Sequence, residues 1–383
     1  MRASLQKLRA GRARVGGVLS GTSGDGIDVV VAQPEVEDER VVGVRSLAFA
    51  TRPFPEALAP RVRAALDGEW RGVRELALLN RDLGRAFGEA ASAVATQAGL
   101  ELDLLGSHGL TVYHHDGAEP SGPATLQLGD GDFVAAGAGC PVIADFRQAD
   151  LAAGGEGAPL SVLADDAVFA AAGRPLTVLN LGGLANLSWL PEHGEPLAFD
   201  TGPAGALLDG FARRLLDRPY DDGGREAAAG RVNEALLARW LAHPFFEAAP
   251  PKSTGRDTFG PAWVDDLLAA NGATRPADLL RTAVELVART VAEARSRWLP
   301  GAGGALVVAG GGVHNAPLVG ALAAHSPGPV RPSGAVGVDP DAREALVFAV
   351  LAARTLLGEP TTRASATGAA PGHVLGKISP GGR

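Results

Sequence analysis

The sequence predicts an α/β protein built from closely packed domains, and three observations support this prediction. Short apolar runs typical of strands alternate with amphipathic stretches typical of helices, which is the pattern of an α/β fold. The chain has 383 residues, which at about 150 residues per domain suggests two or three domains. No low-complexity linker interrupts it, so we expect the domains to pack closely.

In chain order, residues 15–19 and 27–32 are predicted to form a hairpin around a Gly/Ser/Thr turn. Residues 73–99 carry apolar side chains three to four positions apart and are predicted to form a helix. The remaining predicted elements are a strand at 102–105, a hairpin formed by 125–128 and 133–135, strands at 176–181 and 197–199, helices at 232–241 and 277–298, a strand at 305–309, and a helix from Asp339 to about 357 with Gly358 as its stop.

The composition excludes several classes of protein. Glycine makes up 52 of the 383 residues, about twice the usual ~7 %, but no collagen-like repeat accompanies it and 46 % of residues are apolar. The glycines therefore indicate tight turns and close backbone approaches in a globular chain. A net charge of −8 argues against a general nucleic-acid binder, and the single cysteine, Cys140, excludes an internal disulfide.

The termini and the hydropathy pattern predict a cytoplasmic protein. Residues 1–14 are basic but are not followed by the apolar stretch of a signal peptide, so we expect a disordered basic tail. No run reaches the roughly 18 apolar residues of a membrane span. We therefore expect neither a membrane nor a nucleic acid as partner.

The strongest motif is residues 20–28, Ser-Gly-Thr-Ser-Gly-Asp-Gly-Ile-Asp. Its glycines allow backbone N–H groups to approach an anion, and its two hydroxyl side chains add donors. Asp25 and Asp28 are candidates to hold Mg²⁺, directly or through water, because hard cations prefer oxygen ligands. An ordinary hairpin with a polar tip is the alternative, although Thr-Ser with paired aspartates exceeds what a turn needs. We predict a phosphate-binding loop that differs from the P-loop motif, which the sequence lacks.

Three other side chains are candidates for chemistry. Asp200 follows an apolar run, so it is a metal-bound acid, a general base or a helix N-cap. Arg147 is suited to bidentate binding of a carboxylate or phosphate, or else forms a structural pair with Asp145 or Asp150. His108 is expected to contact a polar ligand or to be a satisfied core histidine, rather than to bind a metal.

Further candidates are weaker when taken singly. Glu344 lies in the first turns of the last helix, where most acids simply favour the helix dipole. The segment 252–256, Lys-Ser-Thr-Gly-Arg, contacts phosphate or only decorates a loop. Residues 182–186 and 311–315 both read Gly-Gly-x-x-Asn after an apolar strand, which suits backbone approaching a ligand but also arises by chance in a glycine-rich chain.

Taken together, these residues resemble the anhydro-N-acetylmuramic acid kinase family over nearly the whole chain, from about Val15 to Pro380. The specificity comes from many matches in one order. The matching segments are 17–28, 108–112, 125–129, 145–147, 154–160, 180–186, 199–203, 251–256, 310–315 and 344–345.

The resemblance implies an actin-like (ribonuclease H-like) ATPase fold with two lobes and with ATP and sugar in the cleft between them. Residues 15–150 and 340–383 would form lobe I, and residues 151–339 would form lobe II. The implied reaction uses ATP to open and phosphorylate 1,6-anhydro-N-acetylmuramic acid, giving N-acetylmuramic acid 6-phosphate and ADP in bacterial cell-wall recycling. The family also suggests a homodimer.

The resemblance assigns roles residue by residue. Asp200 would be the general base that activates water, and His108, Arg147 and Glu344 would hold the sugar. ATP phosphates and Mg²⁺ would be bound by Gly21, Thr22, Ser23, Gly24, Asp25, Gly26, Ile27 and Asp28, with Asp25 and Asp28 as the metal ligands. The nucleotide cleft would be lined by Gly182, Gly183, Asn186, Gly311, Gly312 and Asn315.

The sequence also departs from the family pattern. Leu110 stands where the family usually has Gln, Ala204-Gly205 where it has Gly-Asn, and Gly24 where it has an apolar residue. Two alternatives therefore stay open: an actin-like kinase that acts on an ordinary hydroxyl of another sugar, and a nucleotide-binding relative that has lost activity.

Overall fold

The chain folds into two compact units. The computed structural model describes residues 1–21, 23–70, 72–115, 121–269, 274–300 and 304–381, apart from the side chains of 256 and 257. Unit 1 is Met1–Ala171 together with Ala342–Arg383, and unit 2 is Ala172–Asp341.

The strands form one sheet in each unit, and all elements are numbered in chain order. The strands are β1 (Val15–Ser20), β2 (Ile27–Glu37), β3 (Arg40–Arg52), β4 (Leu104–His115), β5 (Ala124–Leu128), β6 (Val142–Ala144), β7 (Leu176–Leu181), β8 (Leu184–Leu190), β9 (Leu197–Pro203), β10 (Ala305–Ala309), β11 (Val330–Pro332) and β12 (Lys377–Ser379).

The helices connect and cover these strands. Within the described residues, no helix combines the length and apolar character that a bilayer crossing requires. The helices are α1 (Arg2–Arg9), α2 (Ala59–Leu66), α3 (Val73–Gln97), α4 (Gly131–Ala138), α5 (Phe146–Ala152), α6 (Val162–Val168), α7 (Gly205–Leu216), α8 (Arg225–Ala229), α9 (Glu234–Leu241), α10 (Pro244–Glu247), α11 (Arg256–Phe259), α12 (Pro261–Ala269), α13 (Pro276–Trp298), α14 (Ala316–His325), α15 (Arg343–Leu357) and α16 (Ala364–Thr367), with short 3₁₀ turns at Ala170–Ala172, Asp222–Gly224, Gly311–His314 and Ser333–Val336.

The sheet of unit 1 has the strand order β12-β6-β4-β1-β2-β3, and β5 pairs with β4. Strands β1, β2 and β3 form an antiparallel meander, which confirms the predicted first hairpin. Strand β4 runs parallel to β1, and β6 runs parallel to β4. The carboxyl ends of β1, β4 and β6 therefore lie at one edge of this sheet.

The sheet of unit 2 repeats this arrangement with the order β11-β10-β7-β8-β9. Strands β7, β8 and β9 form the meander, β10 runs parallel to β7, and β11 runs parallel to β10. Five strands of the first sheet, in the order β6-β4-β1-β2-β3, therefore share their order and directions with the five strands of the second sheet. This duplicated α/β topology confirms the predicted fold class.

Each unit has a hydrophobic core because helices cover the apolar face of its sheet. On α3, Leu79, Leu83 and Phe87 are buried against unit 1, as the helical spacing of the sequence predicts. In unit 2, the long helix α13 buries most of its length, including Ala283 and Val287. The helices predicted at 73–99 and 277–298 are confirmed.

Helix α15 lies directly on the sheet of unit 1, backbone against backbone. A β-carbon at Gly17 of β1 would overlap the carbonyl oxygen of Ala345, and one at Gly106 of β4 would overlap that of Phe348. Only glycine at these two positions lets the helix approach so closely. The pair of buried side chains Arg343 and Asp165, with Nη2 and Oδ2 2.5 Å apart, also joins α15 to α6.

The boundaries of the units differ from the predicted lobes. The first boundary follows Ala171 rather than residue 150, because α6 packs against α15 and β3. Residues 1–14 contain helix α1, where disorder is predicted. Its side chain Leu8 is fully buried, and Lys7 and the N–H of Arg14 both bond the carboxylate of Asp103.

Two local predictions are wrong. Residues 133–135 lie in helix α4 rather than in a strand, because Asp130 caps the helix by accepting the N–H of Asp132 at 3.1 Å. Helix α15 begins at Arg343, since the carboxylate of Asp339 accepts the N–H of Asp341 in a turn that precedes the helix. Its predicted end is confirmed, with Gly358 in the left-handed conformation at φ 74°.

The contact at Gly17 predicts a large effect of one methyl group. We expect Gly17→Ala to lower the free energy of unfolding by roughly 2 kcal/mol or more, because rigid backbone must shift to admit the β-carbon. Gly320→Ala is the control: this exposed glycine of α14 has open space at its β-position, and alanine should stabilise the helix by about 0.5–1 kcal/mol. Denaturant unfolding of both variants tests this, and an unchanged stability of Gly17→Ala would contradict the close approach.

Candidate functional site

The glycine-rich loop between β1 and β2 forms a tight turn at the carboxyl end of β1. The N–H of Gly24 donates to the carbonyl of Gly21 at 3.0 Å, and Gly24 has φ 67°, a conformation that favours glycine. A β-carbon at Gly24 would also approach Cδ1 of Leu66 to 2.5 Å. The departure from the family pattern at Gly24 thus coincides with a turn that a bulkier residue would strain.

The predicted members of this loop have different environments. Thr22 lies outside the described residues, whereas Ser23 is exposed and its carbonyl accepts a hydrogen bond from Arg63 at 3.2 Å. Gly26 packs on β3, where a β-carbon would lie 2.8 Å from Cγ2 of Thr51. Ile27 has a core side chain, 1 % exposed, so only its backbone is suited to contact a nucleotide.

The carboxylates of the two aspartates in the loop differ in exposure and in hydrogen bonding. The side chain of Asp25 is 75 % exposed and lies 3.8 Å from Arg63. Asp28 is held by a hydrogen bond of 2.6 Å from the hydroxyl of Thr51. Mg²⁺ is typically bound by one or two carboxylates together with water and phosphate oxygens, so this donor set fits the predicted metal.

His108 and Arg147 are brought together, although 39 positions separate them in the chain. Arg147 lies on α5, and its Nη2 is 3.2 Å from Nε2 of His108 while its Nη1 donates to the carbonyl of Gly157 at 3.2 Å. The ring of His108 stacks on that of Phe348, with centroids 4.3 Å apart. The guanidinium of Arg147 on α5 and the imidazole of His108 on β4 thus form one cluster.

Burial keeps His108 neutral. Desolvation in the protein lowers its pKa well below the usual 6.5, and the nearby charges of Arg147 and His114 lower it further. Within the described residues, Nδ1 of His108 is buried without a hydrogen-bond partner. A neutral ring next to a guanidinium leaves Arg147 as the cationic group of the cluster.

Glu344 lies in the first turn of α15, as predicted, and is half-buried. Its neighbours in the helix fix its position: Arg343 is paired with Asp165, and Ala345 lies against Gly17. Because α15 also carries Phe348, the same helix holds Glu344 and the stacking partner of His108.

Asp200 lies within strand β9 rather than at its end, which corrects the predicted strand of residues 197–199. The strand continues to Pro203, and Asp200 pairs with Asn186 of β8 next to a register shift. The side chain is 7 % exposed. A buried carboxylate on a central part of a strand is an unusual arrangement that needs specific partners.

The loop at 252–254 supplies those partners. The N–H of Thr254 donates to Oδ2 of Asp200 at 2.8 Å, and the N–H of Asp200 donates to the carbonyl of Lys252 at 3.0 Å. This loop therefore holds Asp200 by two hydrogen bonds, one to its carboxylate and one from its backbone N–H. The sequence draws attention to residues 252–256 but does not indicate that they hold Asp200.

Lys252 is itself buried, with its side chain 8 % exposed. Its Nζ donates to the backbone carbonyl of Phe245 at 2.9 Å and lies 4.6 Å from the centroid of the Phe245 ring. Desolvation lowers the pKa of Lys252 to about 8, although the charge of Asp200 opposes this shift. A cation that titrates near pH 8 thus lies in the electrostatic field of Asp200.

The two Gly-Gly-x-x-Asn segments lie at the ends of the neighbouring parallel strands β7 and β10. A β-carbon at Gly310 would lie 2.8 Å from the carbonyl oxygen of Leu181, and one at Gly312 would lie 2.5 Å from Cβ of Leu181. The carbonyl of Gly182 accepts the N–H of Gly205 at 2.9 Å, and that of Gly183 accepts two further N–H groups at the start of α7. These backbones converge at one edge of the second sheet.

The asparagines of these segments differ. Asn315 caps helix α14, where its Oδ1 accepts the N–H of Leu318 at 3.1 Å. Asn186 lies in β8, and its Oδ1 is buried without a hydrogen-bond partner among the described residues. Gly311 and Gly312 form a 3₁₀ turn, whereas Gly182 and Gly183 form the turn of a hairpin. The resemblance between the segments is therefore one of position rather than of conformation.

Asp150 is a further residue near this site, which the sequence indicates only as a possible partner of Arg147. Its carboxylate is completely buried and accepts the hydroxyl of Thr367 at 2.7 Å and the N–H of Gly157 at 2.8 Å. Desolvation raises its pKa, against the effects of both hydrogen bonds and the charge of Arg147. The other suggested partner of Arg147, Asp145, is instead paired with Lys377.

Sequence comparison relates the chain to a family of kinases. The family model of anhydro-N-acetylmuramic acid kinase matches residues 13–381. A protein of that name from Salinibacter ruber is 41 % identical over 394 residues, covering 99 % of each chain. Others from Variovorax paradoxus and Streptomyces coelicolor are 43 % and 40 % identical and cover 95 % and 96 % of this chain, and 98 % and 94 % of their own.

Solved structures give weaker similarity. A ROK hexokinase from Thermus thermophilus aligns with 17 % identity and a TM-score of 0.38, covering 88 % of this chain and 98 % of its own. A xylulose kinase from Rhodospirillum rubrum gives 12 % identity and a TM-score of 0.40, covering 88 % and 92 %. The family assignment rests on the sequence relatives.

The sequence relatives define a kinase, which here has a duplicated α/β fold. The chain belongs to the anhydro-N-acetylmuramic acid kinase family.

The burial of Lys252 predicts a pH-dependent contribution to stability. Its folded pKa of about 8 lies below the ordinary 10.5, so the unfolded chain binds more protons between these values and stability should rise with pH across this window. We expect the free energy of unfolding of the wild type, relative to that of Lys252→Met, to increase by up to about 3 kcal/mol between pH 8 and pH 10.5. Denaturant unfolding across this range measures it. A difference that does not change with pH would contradict the buried, depressed lysine.

Proposed function

We propose that this protein uses ATP to convert 1,6-anhydro-N-acetylmuramic acid and water into N-acetylmuramic acid 6-phosphate and ADP, as part of peptidoglycan recycling. The observation that carries the proposal is the buried carboxylate of Asp200, oriented by the N–H of Thr254 in a chain of this kinase family. The names of the relatives supply the sugar, and the buried carboxylate supplies the base that this particular reaction needs.

The chemistry of the substrate explains why a base must act on water. An anhydro sugar has no free hydroxyl at carbon 6, so the enzyme has none to deprotonate there. In the proposed mechanism Asp200 takes a proton from a water molecule whose oxygen attacks the anomeric carbon, as the base of an inverting glycosidase does. The bond from the anomeric carbon to O6 breaks, O6 bonds to the γ-phosphorus, and the bond from that phosphorus to ADP breaks.

The cluster around Arg147 is suited to an acidic sugar. Muramic acid carries a lactyl carboxylate, and a guanidinium can hold such a group with two parallel hydrogen bonds. His108 is neutral and Glu344 is half-buried, so these two side chains would bind sugar hydroxyl or amide groups rather than its charge. We propose that all three hold the sugar.

The loop from Gly21 to Asp28 would bind the phosphates of ATP. Its backbone N–H groups and the hydroxyl groups of Thr22 and Ser23 would donate to phosphate oxygens. Asp25 and Asp28 would hold Mg²⁺, which when bound supplies neutralisation of charge on the transferred phosphoryl group. The converging backbones at Gly182, Gly183, Gly311 and Gly312 would contact the nucleotide, together with the segment ends at Asn186 and Asn315.

The proposed substrates also bear on location and assembly. Because ATP is a cytoplasmic metabolite, we place the reaction in the cytoplasm, with the amino sugar and ATP as the small-molecule partners. The homodimer that the family suggests, and the absence of a nucleic-acid partner, remain predictions that size-exclusion chromatography and a binding assay can test.

A product analysis tests the proposed reaction. With ATP, Mg²⁺ and the anhydro sugar, we expect ADP together with a product heavier than the sugar by one phosphoryl group and one water. A product heavier by the phosphoryl group alone would identify an ordinary hydroxyl kinase. No ADP above the sugar-free background would identify an inactive relative, and either result would refute the proposal.

Variants then assign the base. We expect Asp200→Asn to lower kcat by about 100- to 10,000-fold, since the amide cannot accept the proton from water. Asp266→Asn, at an exposed carboxylate of α12 in the same unit, should leave kcat unchanged. Steady-state ADP release measures both variants. Full activity of Asp200→Asn would exclude Asp200 as the base.

A further inference from the structure

Asp150 is a buried charged group close to the candidate sugar site that the proposed mechanism does not use. It lies on α5 one turn after Arg147, is fully buried, and faces away from any solvent that would satisfy its charge. Burying a carboxylate is unfavourable unless hydrogen bonds compensate for its lost hydration. Its hydrogen-bond partners, the hydroxyl of Thr367 and the N–H of Gly157, belong to two different segments of the chain.

These two segments are joined next to the carboxylate. The N–H of Glu156 donates to the carbonyl of Thr367 at 2.8 Å, and the N–H of Ala370 donates to that of Ala153 at 2.8 Å. The loop from Gly154 to Gly157 passes so closely over Asp150 that a β-carbon at Gly155 would overlap its Oδ2. The carboxylate of Asp150 therefore fixes the position of the loop from Gly154 to Gly157.

The loop leads directly to the candidate sugar site. Gly157 donates its N–H to Asp150, and its carbonyl accepts Nη1 of Arg147 at 3.2 Å. The other end of the same guanidinium, Nη2, lies 3.2 Å from Nε2 of His108. The backbone of one residue, Gly157, thus connects the buried carboxylate to the cation of the His108–Arg147 cluster.

We propose that Asp150 is a positioning residue for sugar binding, which sets the placement of the Arg147 guanidinium through the backbone of Gly157. This inference rests on the proposed function, because it assumes that Arg147 binds the sugar. Asp150 itself touches neither substrate. Its effect is on the orientation of a side chain whose hydrogen bonds with an anionic group depend on the angle at which it is held.

Replacement variants separate positioning from general stability. Asp150→Ala removes both acceptors, and we expect it to raise KM for the sugar by roughly 10- to 100-fold, the size expected when hydrogen bonds to a charged group are lost. KM for ATP should stay within about twofold, since the side-chain hydrogen bonds of Asp150 among the described residues go to Gly157 and Thr367 rather than to the loop at residues 21–28. Asp150→Asn keeps an acceptor for Gly157 and a polar partner for Thr367, so it should restore most of the affinity for the sugar.

Two further variants keep the test decisive. Should Asp150→Ala fail to fold, Thr367→Val removes one partner without changing the size of the side chain, and we expect a smaller rise, about threefold, in KM for the sugar alone. Asp132→Asn, at an exposed carboxylate of α4 in the same unit, is the matched control and should change neither constant.

The outcomes distinguish a failure of the positioning role of Asp150 from a failure of the proposed function. An unchanged KM for the sugar in folded Asp150→Ala or Thr367→Val, equal increases for sugar and ATP, or an Asn variant as impaired as the Ala variant would each overturn the positioning role. A wild-type protein that does not phosphorylate the anhydro sugar would instead refute the proposed function on which the inference rests.

Discussion

The arrangement of unit 1 depends on the contact between helix α15 and the two central strands of its sheet. At Gly17 and Gly106 the backbone of the helix touches the backbone of β1 and β4, and no other residue would admit this approach. The consequence reaches the candidate site. The helix carries Glu344 in its first turn and supplies Phe348 as the ring on which His108 stacks. Gly17 lies just before the predicted phosphate-binding loop, but its role in the structure is to let the helix pack closely on the sheet.

Unit 2 reaches the same topology but positions its chemistry differently. Here the functional candidate, Asp200, lies within a strand and is oriented by the loop at 252–254 rather than by a helix. Lys252 completes that loop as a buried cation held by Phe245. In each unit a loop holds a buried carboxylate: Asp150 in unit 1 and Asp200 in unit 2. Both carboxylates offset the cost of burial with hydrogen bonds from backbone N–H groups.

The sequence predicts the regular elements well where periodicity is strong, as in α3 and α13, and its motifs supply the candidate residues of the site. It fails where a local signal has two meanings. Gly129-Asp130-Gly131 reads as a hairpin turn, but Asp130 caps a helix. Thr201-Gly202 after Asp200 reads as a strand end, but pairing with β8 carries the strand onward to Pro203. The contacts of Arg147 with His108 and of Asp150 with Thr367 join segments far apart in the chain, and no local pattern records them.

The central claim is that one oxygen atom is both the leaving group of ring opening and the acceptor of the phosphoryl group. The substrate offers no other oxygen at carbon 6, and the proposed base, Asp200, is a carboxylate suited to activate water. The most direct test uses anhydro-N-acetylmuramic acid labelled with ¹⁸O in its bridging oxygen. The account predicts that the label is found in the ester oxygen between carbon 6 and phosphorus, whereas a label left at the anomeric carbon, or in an intact anhydro bridge, would contradict it.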